Sequence, residues 1–255
     1  MSVHREWDGR TYDRISGAME AMALPVLDRL PLRGDETVVD AGCGSGRVTE
    51  ALLARLPEGR VIAIDASADM LAAARERLGD DPRVSYLEAD LVAFALERPA
   101  DAILSTATFH WIADQAALYR ALHAALRPGG RLVAQCGGEG NIADIRGAVA
   151  EVVAEDPALG ERVGDFNPWK FLARDATRAH LAAAGFAEAS AELQDWPVEP
   201  DGDGQEWLRT INLRAHVERI GDPALADRFI AAVHERLGGD PLTLRYVRLN
   251  IDATA

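Results

Sequence analysis

The sequence predicts an α/β fold whose centre is a mostly parallel β-sheet built from strand–helix–strand units. From residue 37 to residue 137, short apolar runs alternate with longer stretches of helical periodicity, which is typical of such units. The chain has 255 residues, 48% of them hydrophobic, so it can bury one large core. Strands are expected at residues 37–40, 60–65, 84–88, 101–105 and 131–136.

Helices are expected between these strands. In two of them an apolar side chain recurs at every fourth residue, which places one apolar stripe against the sheet. In a third, Ser67 is the expected N-cap and Gly79 the expected C-terminal end. The two stripes consist of Val48, Leu52 and Leu56, and of Leu118, Leu122 and Leu126.

The second half of the chain changes character. Residues 137–168 are glycine-rich and irregular in their apolar pattern, whereas residues 175–185 predict a helix that returns the chain to the sheet. Asp222 and Pro223 form a typical N-cap and first-turn pair for a later helix. Residues 242–251 alternate imperfectly and are the best candidate for a last strand.

These patterns predict a single domain over residues 1–255. Helices within residues 1–32 are expected to form an N-terminal lid, and residues 33–137 to form the core of the sheet. Residues 138–172 and 204–240 are expected to be cap insertions, because the later helical sequence lies between two terminal strands.

The composition narrows the possible partners. The chain carries 27 basic and 41 acidic residues, a formal charge of −14, so its surface would repel nucleic acid. No segment reaches the ~18 consecutive apolar residues of a membrane span, and the first ten residues are charged throughout, so we expect a cytoplasmic protein with no membrane partner. Cys43 and Cys136 lack metal-ligand spacing, and no metal site is expected.

Three alternating glycines follow the first strand. Asp40 ends that strand, and Gly42, Gly44 and Gly46 precede a helix, so a ligand can approach the backbone and the helix N–H groups. A dinucleotide fingerprint would need glycine or alanine where Arg47 stands. The loop therefore predicts a nucleotide-type ligand and argues against NAD.

Carboxylates mark the ends of the next two strands. Asp65 ends the second strand, 19 positions after Gly46, where a ribose diol is commonly bound through charge-assisted hydrogen bonds. Asp90 follows the third strand, within reach of an adenine amino group. Helix capping is the alternative role for Asp65, although Ser67 already supplies a cap, and Asp90 can also be an ordinary acid after a strand.

These motifs, taken in order, resemble those of the class I methyltransferases that use S-adenosylmethionine (SAM). They are VDAGCGSG at residues 39–46, IDASADMLAAAR at 64–75, EAD at 88–90 and LRPGG at 126–130. The chain is further similar to the trans-aconitate methyltransferase type. That similarity is carried by Trp7, Tyr12, the segment ATFHWIAD at 107–114, Gln135, Asn141, Gly185, Phe186, Trp196, Trp207 and the segment LRYVRL at 244–249.

The resemblance implies a Rossmann-like, seven-stranded, mostly parallel sheet of order 3-2-1-4-5-7-6. Strand seven would be antiparallel, with helices on both faces and a helical cap. It implies a SAM site in which Asp65 holds the ribose. Around the methionine part it places Asp40, Ala41, Gly42, Gly44, Gly46 and Ser105, the last following strand four. Around the adenine it places Ala66, Met70, Asp90 and Leu91.

His110 and Trp111 are the expected catalytic pair, because they follow strand four beside the expected sulfonium. Trans-aconitate enzymes commonly carry Gln at the position of His110, and the similar insect juvenile-hormone-acid methyltransferases carry His-Trp. Since both groups esterify carboxylates, the resemblance implies that the pair donates N–H bonds to an acid. A base role for His110 on a hydroxyl, or simple packing of both side chains, are the alternatives.

An acidic acceptor would need a local cation in so acidic a protein. Arg5, Arg10 and Arg14 of the lid and Lys170 are the candidates. Candidate acceptor-binding residues are Trp7, Tyr12, Trp169 and Lys170.

The favoured function is thus SAM-dependent O-methylation of a carboxylate on a small molecule. O- or N-methylation of a phenolic or amine secondary metabolite is the nearest alternative. A nicotinamide-dependent oxidoreductase and a SAM-binding regulator without catalysis are more remote. The protein can be a monomer or a homodimer on this reading.

Overall fold

A seven-stranded sheet forms the centre of the computed structural model, which describes residues 17–200 and 202–255. Its order is β3-β2-β1-β4-β5-β7-β6, and β7 is antiparallel to both of its neighbours, while the other neighbouring pairs are parallel. The strands are β1 (Thr37–Ala41), β2 (Arg60–Asp65), β3 (Val84–Glu88), β4 (Ala100–Thr106), β5 (Leu126–Gly137), β6 (Ala187–Val198) and β7 (Leu244–Thr254). The expected fold class and strand order are confirmed.

The strand boundaries follow the sequence pattern closely. The bounds of β2 and β3 agree with the expected ones, and β1 and β4 are one residue longer at one or both ends. The largest difference is in β5, which begins at Leu126, before the Pro128-Gly129-Gly130 turn. That early start is a single pairing of Leu126 with Ala100, separated from the rest of the ladder by a register shift.

Helices cover the sheet and build the cap. Ser67 caps its helix by accepting a hydrogen bond from the Met70 N–H, and Asp222 does the same for the Leu225 N–H. Gly185 ends another helix in the left-handed conformation. The helices are α1 (Gly17–Asp28), α2 (Arg47–Ala54), α3 (Ala68–Leu78), α4 (Gln115–Ala125), α5 (Ala143–Glu155), α6 (Pro157–Arg162), α7 (Arg174–Ala184), α8 (Gly204–Trp207), α9 (Arg214–Ile220) and α10 (Pro223–Arg236).

Two helices whose positions the irregular apolar pattern does not indicate, α5 and α6, occupy most of residues 137–168. The sequence features that usually mark the start and the interior of a helix are absent from α5. Its N-cap, Ile142, has positive φ and makes no side-chain cap bond, and Gly147 interrupts its sequence. Its apolar face packs into the cap core through Ile145, Val149, Val152 and Val153.

Successive residues of the central strands point to opposite faces of the sheet, as β-structure requires. Val38 and Leu104 pack with α1 and α2 on one face, whereas Val39 and Ile103 pack with α4 on the other. A further core joins α5, α9 and α10 in the cap. The lid, core and cap boundaries drawn from the sequence stay predictions.

Several predicted residues lie outside the described part of the chain. They are Arg5, Trp7, Arg10, Tyr12 and Arg14. Within the described residues, no helix combines the length and apolar character that crossing a membrane would require.

Candidate functional site

The glycine loop between β1 and α2 turns sharply at the carboxyl end of the sheet. Gly42, Gly44 and Gly46 all have positive φ, between 54° and 84°. The N–H groups of Gly42 and Cys43 both donate to the Ile64 carbonyl oxygen of β2, at 2.8 and 2.9 Å. A Cβ at residue 42 would lie 2.2 Å from Thr108 Oγ1, so this position admits only glycine without rearrangement.

Asp40 is a buried carboxylate directly before the loop. The residue is 1% exposed, and its Oδ2 accepts a hydrogen bond of 2.6 Å from the Thr49 hydroxyl of α2. Burial raises the pKa of Asp40 to about 6; the Thr49 bond lowers it and the charge of Asp65 raises it. Its Oδ1 has no hydrogen-bond partner among the described residues.

Asp65 ties the loop to the start of α3. Its Oδ2 accepts from the Gly44 N–H and its Oδ1 from the Ser67 N–H, both at 2.9 Å. Burial raises the pKa of Asp65, and the hydrogen bonds from the Ser67, Gly44 and Ala66 N–H groups oppose that rise. The carboxylate is therefore oriented by backbone donors and still has lone pairs for a ligand.

The predicted adenine side lies along α3 and the turn after β3. Met70 and Leu91 are buried, and Ala66 and Asp90 are half-buried. Asp90 accepts a hydrogen bond from the Val92 N–H at 3.1 Å, which organises its own turn. These positions lie beyond the neighbouring ends of β2 and β3, as the prediction requires.

Ser105 lies within β4, as the expected strand at residues 101–105 has it, and not after the strand, where the resemblance placed it. The strand extends to Thr106 because Ser105 and Thr106 still pair with β5. The Ser105 hydroxyl donates to the Ala41 carbonyl oxygen at 2.6 Å. Its visible role is to join β4 to β1 beside the loop.

The chain turns abruptly after β4. Ala107 has a φ of 55°, a left-handed conformation that costs a non-glycine residue about 1–2 kcal/mol, and its N–H donates to Gln135 O at 2.7 Å. The turn leads into a 3₁₀ helix, Phe109–Trp111. This strained turn directs His110 and Trp111 away from the strand.

His110 is buried, at 7% exposure, and its orientation is fixed by the backbone of β5. Its Nδ1 accepts a hydrogen bond from the Gly137 N–H at 3.2 Å. A nitrogen that accepts a bond does not carry the proton, so the neutral ring is protonated at Nε2. Its carbonyl oxygen accepts from the Lys170 N–H at 2.8 Å.

Aromatic rings surround His110. The ring centroid of Trp111 lies 4.9 Å from that of His110, and Phe171 lies 5.6 Å away on the cap side. Trp169 stacks on Phe171 at 5.8 Å. His110 thus lies where the sheet edge meets the cap core.

Comparison with known proteins shows the family to which this chain belongs. A family model described as a methyltransferase domain matches residues 38–130. A trans-aconitate 2-methyltransferase of Azoarcus sp. is 32% identical over 228 residues, covering 85% of this chain and 83% of that protein. One from Methylobacterium radiotolerans is 33% identical over 243 residues, covering 92% and 90%. The chain belongs to the class I SAM-dependent methyltransferases, of the trans-aconitate type.

Solved structures share the fold of this methyltransferase. Phosphoethanolamine N-methyltransferase 2 of Haemonchus contortus, in complex with SAM, matches with a TM-score of 0.63 at 19% identity, over 96% of this chain and 56% of that one. Geranyl diphosphate C-methyltransferase of Streptomyces coelicolor matches with a TM-score of 0.53 at 19% identity, over 92% and 77%. At these identities the likeness concerns the fold alone.

The methyltransferase uses SAM as its cofactor, and the loop residues suit it. The buried Asp40 Oδ1 that has no partner among the described residues suits a cationic amine such as that of the methionine part. A Cβ built on Gly44 meets nothing within 4 Å, so space remains at the centre of the loop. The assignment of individual SAM contacts stays a prediction.

The two predicted cap residues of the methyltransferase have different environments. Trp169 is buried in the cap core. The Lys170 side chain is exposed, although its backbone N–H is bonded to His110. A packing role therefore explains Trp169, and the visible link of Lys170 to the site is through its backbone.

Sequence reasoning missed Arg248 as a separate feature of the methyltransferase. Arg248 is 4% exposed and lies in β7 opposite Gly137, the residue that binds His110. Its place in the last strand, two residues after the buried Tyr246, puts both side chains on one face of that strand. A polar side chain on the buried face of a strand was the available clue.

Both cysteines of the methyltransferase are free and buried, one in each half of the site. Burial raises the pKa of the Cys43 thiol well above its usual value, and it raises the pKa of the Cys136 thiol to about 12. Among the described residues, no cluster of three or more His, Cys, Asp or Glu side chains is arranged to bind a metal.

Proposed function

We propose that this SAM-dependent methyltransferase transfers the methyl group to a carboxylate oxygen of a small acid. The observation that supports the proposal best is the hydrogen bond between His110 Nδ1 and the Gly137 N–H. The curated relatives named trans-aconitate 2-methyltransferase agree with an acid as the acceptor.

The hydrogen bond from the Gly137 N–H determines which tautomer the neutral His110 ring favours. To act as a base through Nε2, the neutral ring would need its proton on Nδ1. That proton would point at the Gly137 N–H, so the donor would lose its acceptor and two hydrogens would meet. His110 is therefore suited to donate from Nε2 and poorly suited to remove a proton.

A donor without a base matches carboxylate chemistry. A carboxylic acid with an ordinary pKa near 4 is ionised at neutral pH and is already a nucleophile, whereas a phenol or an ammonium must first lose a proton. When bound, SAM supplies a methyl group attached to a cationic sulfur. As an acceptor oxygen forms a bond to the methyl carbon, the carbon–sulfur bond breaks and its electron pair stays on the sulfur. The Nε2–H of His110 can hold the carboxylate so that one oxygen faces that methyl group.

Replacing His110 with glutamine tests the proposal. Glutamine can accept from the Gly137 N–H through its oxygen and donate through its amide nitrogen, but it cannot act as a base. We expect His110→Gln to retain ester formation within about tenfold, and His110→Ala to lose more, since a hydrogen bond to a charged group is worth about 1.5–3 kcal/mol. The measurement is kcat/KM with labelled SAM over a panel of small acids, phenols and amines.

The control is His123→Gln, in the last turn of α4, where the ring packs on Phe186. It should leave kcat/KM for the acids unchanged. SAM affinity, measured by calorimetry, should be kept in all three variants. Turnover of phenols or amines without turnover of any acid, or complete loss of activity in His110→Gln, would contradict the proposal.

A further inference from the structure

Thr108 lies between the glycine loop and the 3₁₀ helix that carries His110. Its hydroxyl has one hydrogen, and two carbonyl oxygens share it, that of Thr106 at 3.0 Å and that of Gly42 at 3.3 Å. Thr106 ends β4, and Gly42 belongs to the glycine loop. The hydroxyl therefore joins the loop to the turn after β4, two residues before His110 in the sequence.

The Thr108 side chain also packs directly over the Gly42 backbone. A Cβ built on Gly42 would lie 2.2 Å from Thr108 Oγ1 and 2.3 Å from its Cγ2. Both branches of the threonine thus occupy the space that a side chain at residue 42 would need. Because a β-branched side chain has little freedom about χ1, this contact fixes the distance between the loop and the turn closely.

The backbone just before Thr108 is strained and is held from two sides. Ala107 has a φ of 55°, and such a conformation persists only where the surrounding structure holds it. On one side the Ala107 N–H donates to Gln135 O at 2.7 Å. On the other side, the Thr108 hydroxyl bonds to the glycine loop. Removing that hydroxyl frees the turn on the side of the loop.

The two segments that Thr108 joins each have supports of their own. Two N–H groups of the glycine loop donate to the Ile64 carbonyl oxygen of β2. The 3₁₀ helix is held by Gln115, whose Nε2 donates to Phe109 O at 2.7 Å and to Ile112 O at 2.8 Å. Since these bonds do not involve Thr108, loss of its hydroxyl should leave both segments folded and change only their relative position.

Methyl transfer is sensitive to that relative position. The accepting atom, the methyl carbon and the sulfur must be in line, and a misplacement of about 1 Å can cost about a hundredfold in rate. The glycine loop is predicted to hold the methionine part of SAM, and His110 is proposed to hold the acceptor. A residue that fixes these two segments relative to each other acts on kcat, because it aligns ligands that are already bound.

We propose that Thr108 is a positioning residue that fixes the distance between the methyl donor on the glycine loop and the acceptor beside His110. The inference rests on the proposed function in placing the acceptor beside His110. It does not depend on the acceptor being a carboxylate, since an oxygen or a nitrogen must be aligned with the methyl group in the same way.

Thr108→Val removes the hydroxyl and keeps the branched shape. We expect kcat to fall at least about tenfold, while calorimetric SAM affinity and the acceptor KM change by less than about threefold. Thr108→Ser keeps the hydroxyl, and its kcat should stay within about threefold of wild type. The rates are measured with labelled SAM and the member of the panel of acids, phenols and amines that wild type methylates fastest.

Ethyl transfer gives a second measurement that depends on the gap itself. S-adenosylethionine is the probe: the accepting atom bonds to the first carbon of the ethyl group, the carbon–sulfur bond breaks, and its electron pair stays on the sulfur. The ethyl group needs more room than methyl between sulfur and acceptor. Thr108→Val should therefore raise the ratio of ethyl to methyl kcat at least about threefold. A merely structural role would lower both rates equally.

The matched control is Thr177→Val in α7. The Thr177 hydroxyl also donates to a backbone carbonyl oxygen, that of Ala173 at 3.0 Å, and its residue is buried. This variant should keep the wild-type kcat and the wild-type ratio of ethyl to methyl transfer. The unfolding midpoint reports whether each variant folds. If Thr108→Val does not fold, Thr108→Ala takes its place with the same expectations.

The outcomes separate the two proposals. Wild type that methylates phenols or amines but no acid overturns the proposed function, and the Thr108 variants are then compared on those acceptors. Thr108→Val with wild-type kcat and an unchanged ratio overturns the inference alone. So does a variant whose SAM affinity or acceptor KM worsens as far as kcat/KM falls, because Thr108 would then help to bind one ligand. Equal losses in Thr108→Ser and Thr108→Val would also overturn it.

Discussion

The glycine loop of β1 and the strand pair β5–β7 contribute to the same edge of the sheet, but they offer a ligand different groups. Around the loop, backbone N–H groups and two short carboxylates, Asp40 and Asp65, are gathered at the ends of the neighbouring strands β1 and β2. In the β5–β7 pair, long side chains interact across the sheet, as Gln135 does with Arg248. The predicted cofactor site thus relies on backbone groups and short carboxylates at two strand ends, whereas the acceptor region depends on long side chains brought together by the pairing of β5 with β7.

Among the changes that would test this difference between the glycine loop and the β5–β7 pair, Gly42→Ala is expected to have the largest effect on stability. The new Cβ would lie 2.2 Å from Thr108 Oγ1 at a φ of 79°. The left-handed backbone costs about 1–2 kcal/mol and overpacking about 1–3 kcal/mol, so we expect a loss of about 2–5 kcal/mol in the free energy of unfolding. SAM binding should weaken with it, as urea denaturation and calorimetry would measure.

Gly221→Ala is the control, because residue 221 has a left-handed backbone, with φ 69° and ψ −4°, and a Cβ there would lie no closer than 3.8 Å to its neighbours. It should cost only the backbone component. Equal destabilisation by the two variants would show that the approach of Thr108 to the loop is unimportant.

A second, somewhat smaller effect is expected from Asp40→Asn. Because the folded-state pKa of Asp40 is about 6 against an ordinary 3.8, the folded protein binds more protons in that interval, and this carboxyl lowers stability as the pH rises through it. At 1.36 kcal/mol per unit of pKa, the substitution should raise the free energy of unfolding by up to about 3 kcal/mol at neutral pH and above.

SAM affinity should change in the opposite direction. Asp40→Asn should bind SAM more weakly, and wild-type affinity should rise as the pH increases through about 6, when Asp40 ionises. Denaturation and calorimetry between about pH 5 and pH 8 measure both quantities. If Asp40→Asn is no more stable than wild type and binds SAM normally, the buried charge of Asp40 neither lowers the stability of the fold nor contributes to SAM binding.

The smallest effect concerns the acceptor region. Trp111→Leu removes a ring whose centroid lies 4.9 Å from that of His110, and an aromatic pair of this kind is worth about 0.5–1.5 kcal/mol. We expect kcat/KM for the acceptor to fall by up to about tenfold while SAM affinity stays within about twofold. If SAM affinity fell as far as kcat/KM, the acceptor region would not act independently of the glycine loop.

The difference between the glycine loop and the β5–β7 pair also explains which features could be predicted from the sequence. Glycines with positive φ, Ser67 as a cap and Asp65 at a strand end are local features, so their roles follow from neighbouring residues. The strand order also followed, through the family resemblance. The helix α5 did not, because Gly147 and the uncapped Ile142 conceal it.

The acceptor region could be predicted only in part. His110 and Trp111 were found because they directly follow β4. Arg248 was not, since its nearness to His110 depends on the register of β7 against β5, and no pattern within either strand sets that register. The candidate cations Arg5, Arg10 and Arg14 stay predictions outside the described residues.

The two buried thiols give this protein a built-in pair of chemical reporters. Alkylating reagents react with the thiolate, so Cys43 and Cys136, both buried and with raised pKa values, should be protected in the folded chain. Modification of either one would then report transient local opening. Cys43 lies in the glycine loop, and Cys136 lies beside Gly137 in β5. The ratio of their labelling rates would therefore show which of these two regions opens more often, and whether bound SAM suppresses the opening of only one region.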